Sequence, residues 1–183
     1  MIPLTLIVLA ASSVLNLVDA QEPGTRIRFI GVVEDGNGRP VPGARLHVYQ
    51  TDAKGRYTLD KPMDEPHARL SGELTTDSGG HFEIRTVRPG GYPQSVRLGD
   101  RDRHIPAHVH IDVTAAGHPE RRLQVVFADD PLLGDPYWRD WVARLGQPVV
   151  SVEAFGKDLV ARITLSMTGS QNAGGEPLPA LDR

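Results

Sequence analysis

Cysteine is absent from the 183-residue chain. No disulfide can brace the fold, no thiolate can bind metal, and no lipid can be attached at a cleavage-site cysteine. Any metal must rely on His, Tyr, Asp or Glu. Positive charge is not in excess either, since 20 Lys and Arg face 23 Asp and Glu for a formal net charge of −3. That balance offers nucleic acid no electrostatic footprint. The apolar run that opens the chain, MIPLTLIVLAASSVLNLVDA, lacks Lys and Arg and is of signal-peptide length, short and poorly flanked for a membrane span. Residues 1–20 are therefore expected to form a signal peptide, with Val18-Asp19-Ala20 before a cleavage point at Gln21. The alternatives are a retained anchor or an N-terminal strand. Cleavage would give a secreted or periplasmic protein without stable membrane insertion. It would leave roughly 160 residues, enough for one domain with a real core and too few for two.

What is present is a series of short apolar alternations divided by Gly- and Pro-rich breaks: Ile27–Val33, Ala44–Tyr49, His81–Val87, Ala107–Val113, Leu123–Phe127, Val149–Phe155 and Leu159–Met167. The pattern predicts an all-β, single-domain sandwich of two mainly antiparallel sheets with long loops, spanning 21–168. Gly36-Asn37-Gly38, Pro40–Gly43, Asp77–Gly80 and Pro89-Gly90-Gly91 are turn sequences, because Gly and Asn tolerate positive φ and Pro fixes its own. One short helix is expected from Asp135-Pro136, with Asp as cap and Pro at the first position, through Trp138, Trp141 and Leu145 to Gly146. It is expected to cover one end of the sandwich. Residues 169–183, rich in Gly, Pro and polar residues, are expected to be a flexible tail.

Pro106-Ala107-His108-Val109-His110-Ile111-Asp112-Val113 places two imidazoles at i and i+2, which a strand turns to one face. Such a pair can bind metal, each ring giving one nitrogen to the ion and the other to an acceptor. An isolated His-X-His is more often two polar residues on a half-exposed strand. Two tyrosines change the balance, because Gly55-Arg56-Tyr57 and Pro89-Gly90-Gly91-Tyr92-Pro93 set both in tight turns at strand ends. A phenol with its pKa near ~10 is a poor ligand for most divalent ions, whereas a hard trivalent cation can displace its proton. Two Tyr with two His favours Fe(III). His47, His67, His81, His104 and His118 are expected at the surface or in loops, with His104 nearest the site.

At these residues the chain resembles the intradiol ring-cleavage dioxygenases, from about Gly31 to Pro131. The matching stretches are GVVEDGNGRPVPG, ARLHVYQTDAKGRY, TDSGGHFEIRTVRPGGYP and PAHVHIDV, in the family's order. The resemblance implies a non-haem Fe(III) held by Tyr57, Tyr92, His108 and His110. It further implies that a catechol-type substrate chelates the ion, that Tyr92 leaves and serves as base, and that O2 enters between the hydroxyl-bearing carbons to give a muconate-type diacid. Three positions depart from the family pattern. Ile105 stands where many members carry an Arg that stabilises substrate charge, with Arg103 or Arg101 as the candidates to replace it. Tyr49-Gln50 replaces Trp-Gln, keeping an aromatic beneath the metal. Leu123-Gln124-Val125-Val126-Phe127 keeps the Gln that would face the substrate ring, so Gln124 joins Tyr92 and Arg103 as a candidate catalytic residue. Gln94 occupies a position where protocatechuate-cleaving relatives tend to carry Trp.

Two other functions fit parts of the sequence. Gly-X-Val-X-Asp followed by Gly-X-Pro-Val-Pro-Gly-Ala resembles noncatalytic carboxypeptidase regulatory-like and transthyretin-like modules, which would explain the first strands but neither Tyr92 nor His108-X-His110. A divalent-metal hydrolase would need an acid or Ser beside the His pair, and the sequence presents none there.

Overall fold

The computed structural model describes residues 13–93 and 104–168. The expectations for Gln94, Arg101, Arg103, the 169–183 tail and residues 1–12 of the leader lie outside them. Among the described residues twelve strands occur in the order β1 (Val14–Asn16), β2 (Arg26–Glu34), β3 (Arg45–Gln50), β4 (Leu70–Thr75), β5 (His81–Val87), β6 (Tyr92–Pro93), β7 (His104–Ile105), β8 (His108–Thr114), β9 (Arg121–Phe127), β10 (Val149–Val150), β11 (Val152–Phe155) and β12 (Asp158–Ser166), with one α-helix, α1 (Pro136–Leu145), between β9 and β10.

Two five-stranded sheets form the sandwich, ordered β1-β5-β2-β12-β11 and β10-β9-β8-β3-β4, while β6 and β7 make a small ladder of their own. Most pairings are antiparallel, but β1 with β5, β9 with β10 and β2 with β12 are parallel. The alternation of β2 buries Ile27, Phe29, Gly31 and Val33 and leaves Arg28, Ile30 and Val32 half-buried. Val109, Ile111 and Val113 of β8 and Leu46 and Val48 of β3 meet them across the core. Each such side chain, fully buried, contributes about 1.5–3 kcal/mol.

Helix α1 starts and stops where its sequence predicts. The Asp135 carboxylate accepts from Tyr137 N at 2.9 Å, Pro136 takes the first turn, and Gly146 ends it in the left-handed region at φ 59. Its position differs from the expected end cap. Trp138, Trp141 and Val142 pack with Tyr57, Tyr92, Ile105 and Val126 in a second apolar cluster on the outer side of the β8–β9 sheet. Hydrophobic spacing marks the buried stripe of a helix but not the surface that receives it. Strand β1, within the predicted leader, pairs with β5 in register from Val14↔Glu83 to Asn16↔Arg85, and Leu17 is buried in the main core.

Candidate metal centre

The centre is built by two turns and one strand. After β3 the chain turns at Asp52, whose Oδ1 accepts from Lys54 N and Arg56 N and whose Oδ2 accepts from the Arg56 guanidinium. Burial alone would raise the Asp52 carboxyl, but these bonds outweigh it and hold it below the ordinary carboxylate range. The same residue joins the first turn to the second. Its carbonyl accepts from both Gly55 N at 3.0 Å and Gly90 N at 2.9 Å, and Thr51 Oγ1 donates to Gly90 O at 2.8 Å. Gly55 is required on two grounds: its φ is +75, and a Cβ there would lie 2.2 Å from Gly91 O. Close backbone contact between the turns thus brings Tyr57 and Tyr92 to one point.

Strand β8 supplies the imidazoles from the face opposite its core residues, and both rings are buried. Asp130 fixes the approach to the strand by accepting from Ala107 N at 2.8 Å. The four polar tips converge. Tyr57 Oη lies 3.2 Å from Tyr92 Oη and 3.1 Å from His110 Nε2, which lies 2.9 Å from His108 Nε2. Donors bound to one ion at about 2.1 Å stand roughly 3 Å apart when adjacent, so these separations fit a common cation. His108 Nδ1 is 2.8 Å from Pro106 O, which fixes Nδ1 as the donor and leaves the Nε2 lone pair facing the cluster.

Electrostatics favour the same chemistry. Burial pushes His108 from 6.5 down to about 4, and burial followed by the neighbouring His108 ring pushes His110 well below its ordinary value, so both imidazoles are neutral. Burial pushes both phenols upward, with the neighbouring Tyr92 adding to the effect at Tyr57. Without a cation the phenols stay protonated, and a hard cation reverses that preference. Among the described residues no group of three or more His, Cys, Asp or Glu is arranged to hold a metal ion. A metal here depends on the phenols.

Tyr57, Tyr92, His108 and His110 therefore come together as the sequence predicts. Gln124 lies beside His110 in the β8–β9 register, and its Oε1 is buried without a partner. Tyr49 stacks on His110 with centroids 4.2 Å apart and planes 8° from parallel, the expected aromatic beneath the site. Ile105 pairs with Tyr92 across β6 and β7 and is buried in the outer cluster, so it packs against the site and brings no charge. His104 is exposed.

One expectation is overturned. The sequence shows no acid beside the His pair, yet Glu65 Oε1 lies 3.8 Å from His110 Nε2 and accepts from Tyr49 Oη at 3.2 Å. Glu65 opens a short 3-10 helix, Glu65–His67, in the irregular segment between Tyr57 and β4. No periodicity operates there, and only the folded loop brings it near.

A family model described as Dioxygenase matches residues 8–172 of the chain. Catechol 1,2-dioxygenase of Acinetobacter baylyi is 31% identical over 145 residues, covering 74% of this chain and 46% of the relative. The protocatechuate 3,4-dioxygenase beta chain of Burkholderia cepacia is 32% identical over 168 residues, covering 87% and 66%. The chain thus spans about half the length of the first of these and about two thirds of the second. Among solved structures, the dioxygenase domain of a dioxygenase carbohydrate-binding protein fusion from Streptomyces sp. SirexAA-E superposes with a TM-score of 0.61 at 22% identity, covering 85% of this chain and 88% of that one. This last likeness is one of fold.

Proposed function

Because the chain belongs to the intradiol dioxygenase family, we propose that it cleaves a catechol-type ring between the two hydroxyl-bearing carbons with O2, giving a muconate-type diacid, at a non-haem Fe(III) centre. The observation that carries this proposal is the convergence of two phenol oxygens and two imidazole nitrogens within 2.9–3.2 Å of their neighbours. A binding module of the regulatory or transthyretin type has no need of such a cluster.

Tyr57, Tyr92, His108 and His110 would hold the ion. When bound, ferric iron supplies the Lewis acidity that draws in a catechol's oxygens and prepares the ring for O2. His108 keeps its ligating nitrogen free by donating from Nδ1 to Pro106 O. Tyr92 lies on the two-residue ladder with Ile105, whereas Tyr57 is anchored by Tyr57 N to Pro62 O at 2.7 Å and Arg69 N to Tyr57 O at 2.8 Å. Tyr92 is therefore the phenol freer to move, and its oxygen takes the substrate hydroxyl proton as general base. Gln124, with its unsatisfied Oε1, offers the substrate an acceptor beside His110. Trp138, Ile105 and Val126 form an apolar wall that limits water at the site.

Oxygen uptake by the iron-loaded protein across a panel of catechols tests this function, with Tyr57→Phe and His110→Ala as controls. The wild type should be burgundy and consume O2, and both variants should lose iron and visible absorption. A coloured wild type inert to every catechol would leave a metal-binding domain in place of the enzyme.

A further inference from the structure

The two imidazoles are held in different ways. His108 donates from Nδ1 to Pro106 O, whereas His110 makes no hydrogen bond through Nδ1 among the described residues. Gln124, its neighbour in the β8–β9 register, leaves its own amide oxygen without a partner. A ligating imidazole ordinarily has its second nitrogen tied down, which fixes the plane of the ring. For His110 the restraint comes from the side, where Tyr49 lies flat on it with centroids 4.2 Å apart and planes 8° from parallel. A stacked ring opposes tilting but is free to slide. Sliding is opposed by the Tyr49 hydroxyl, which donates to Glu65 Oε1 at 3.2 Å, and no Lys or Arg among the described residues competes for that carboxylate. The Glu65 backbone is itself fixed, its N–H donating to Met63 O and its carbonyl accepting from Ala68 N, both at 3.0 Å.

We propose that Glu65 is a positioning residue for the centre: through the Tyr49 hydroxyl it holds the His110 ring in the plane from which Nε2 meets Tyr57 and His108. The inference rests on the metal-centre reading and deepens it. Glu65 acts on a ring in this arrangement and not on an ion. The hydroxyl is the part of Tyr49 that matters, because a plain aromatic ring would stack on His110 equally well and have nothing to anchor it. Three segments distant in the chain thus meet in one restraint, with Glu65 from the irregular loop, Tyr49 from β3 and His110 from β8.

The full chain is prepared as wild type, Glu65→Ala, Glu65→Gln, Tyr49→Phe and the double variant Glu65→Ala with Tyr49→Phe. In the metal-free proteins, NMR follows the His110 ring and its contact with the ring at position 49. After loading with Fe(III), iron retention is measured against a chelator. Glu65→Ala and Tyr49→Phe should each broaden the His110 ring signals and weaken iron affinity about tenfold. Glu65→Gln, whose amide oxygen accepts the same bond, should restore both. The double variant should be no worse than either single one, since all three break one bond. Unchanged ring signals in Glu65→Ala overturn the inference, as do additive losses in the double variant or a Glu65→Gln that behaves like Glu65→Ala. A wild type that retains no iron, with the ring signals responding as expected, overturns the metal centre and leaves Glu65 as the anchor of His110.

Discussion

Replacing Gly55 by Ala tests how the centre is assembled, because it strikes the contact between the two tyrosine turns without touching a donor atom. Two costs add. A left-handed backbone with a Cβ costs about 1–2 kcal/mol. Forcing a methyl against fixed backbone costs about 1–3 kcal/mol more, and here the added carbon would meet Gly91 O at 2.2 Å and Tyr92 Cβ at 3.3 Å. The expected loss is about 2–5 kcal/mol, or roughly 4–20 °C in Tm for a domain of this size. Gly38→Ala is the control. Its φ is +73, but nothing lies within 4 Å of the added Cβ, so it bears the backbone cost alone. Thermal unfolding of the metal-free proteins, with the visible absorption of the iron-loaded ones, separates the two effects. Gly55→Ala should melt lower than Gly38→Ala and lose or weaken the phenolate-to-iron band, which Gly38→Ala retains. Equal melting and equal colour in the two variants would refute the idea that packed glycine turns position Tyr57 and Tyr92.

Two further outcomes follow from burial at the site and at the sheet edge. In the metal-free protein His108 titrates near 4 when folded and near 6.5 when unfolded. Between those values the unfolded chain binds the extra proton, so His108 should cost roughly 3 kcal/mol of stability as pH falls through that window. Urea titrations of His108→Gln should show a slope against pH flatter by up to about 1.4 kcal/mol per pH unit, and an unchanged slope would contradict the buried neutral imidazole. A chain beginning at Gln21 lacks β1, with its Leu17 N to Arg85 O and Glu83 N to Ser13 O bonds and the buried Leu17. It should lose about 1.5–3 kcal/mol from Leu17 alone and expose β5 as an unpaired edge. Identical Tm for the two chains would mean that β1 adds nothing to the fold, and sequencing the N-terminus of the expressed protein shows whether it is retained.

Much of the molecule is legible in the sequence because local rules decide it. Alternation marks β2, β5, β8 and β12, since a strand turns every second side chain to the core. Asp135-Pro136 and Gly146 bound the helix because a cap oxygen, a fixed φ and a left-handed glycine act on their own residues. The spacing His108-X-His110 commits both imidazoles to one face in any strand, and the glycines before Tyr57 and Tyr92 mark turns whatever lies beside them. Other features depend on segments distant in the chain. Strand β1 follows from pairing with β5, and the apolar run that seats it is equally suited to an export leader. Helix α1 finds the outer face of the β8–β9 sheet because Tyr57, Tyr92 and Ile105 offer apolar surface there, which periodicity along the helix cannot reveal. Glu65 reaches His110 only because the irregular chain after Tyr57 folds back over Tyr49. Residue types and spacings thus specified the four candidate donors, whereas their convergence and the carboxylate beside them were decided by backbone contacts between loops far apart in sequence.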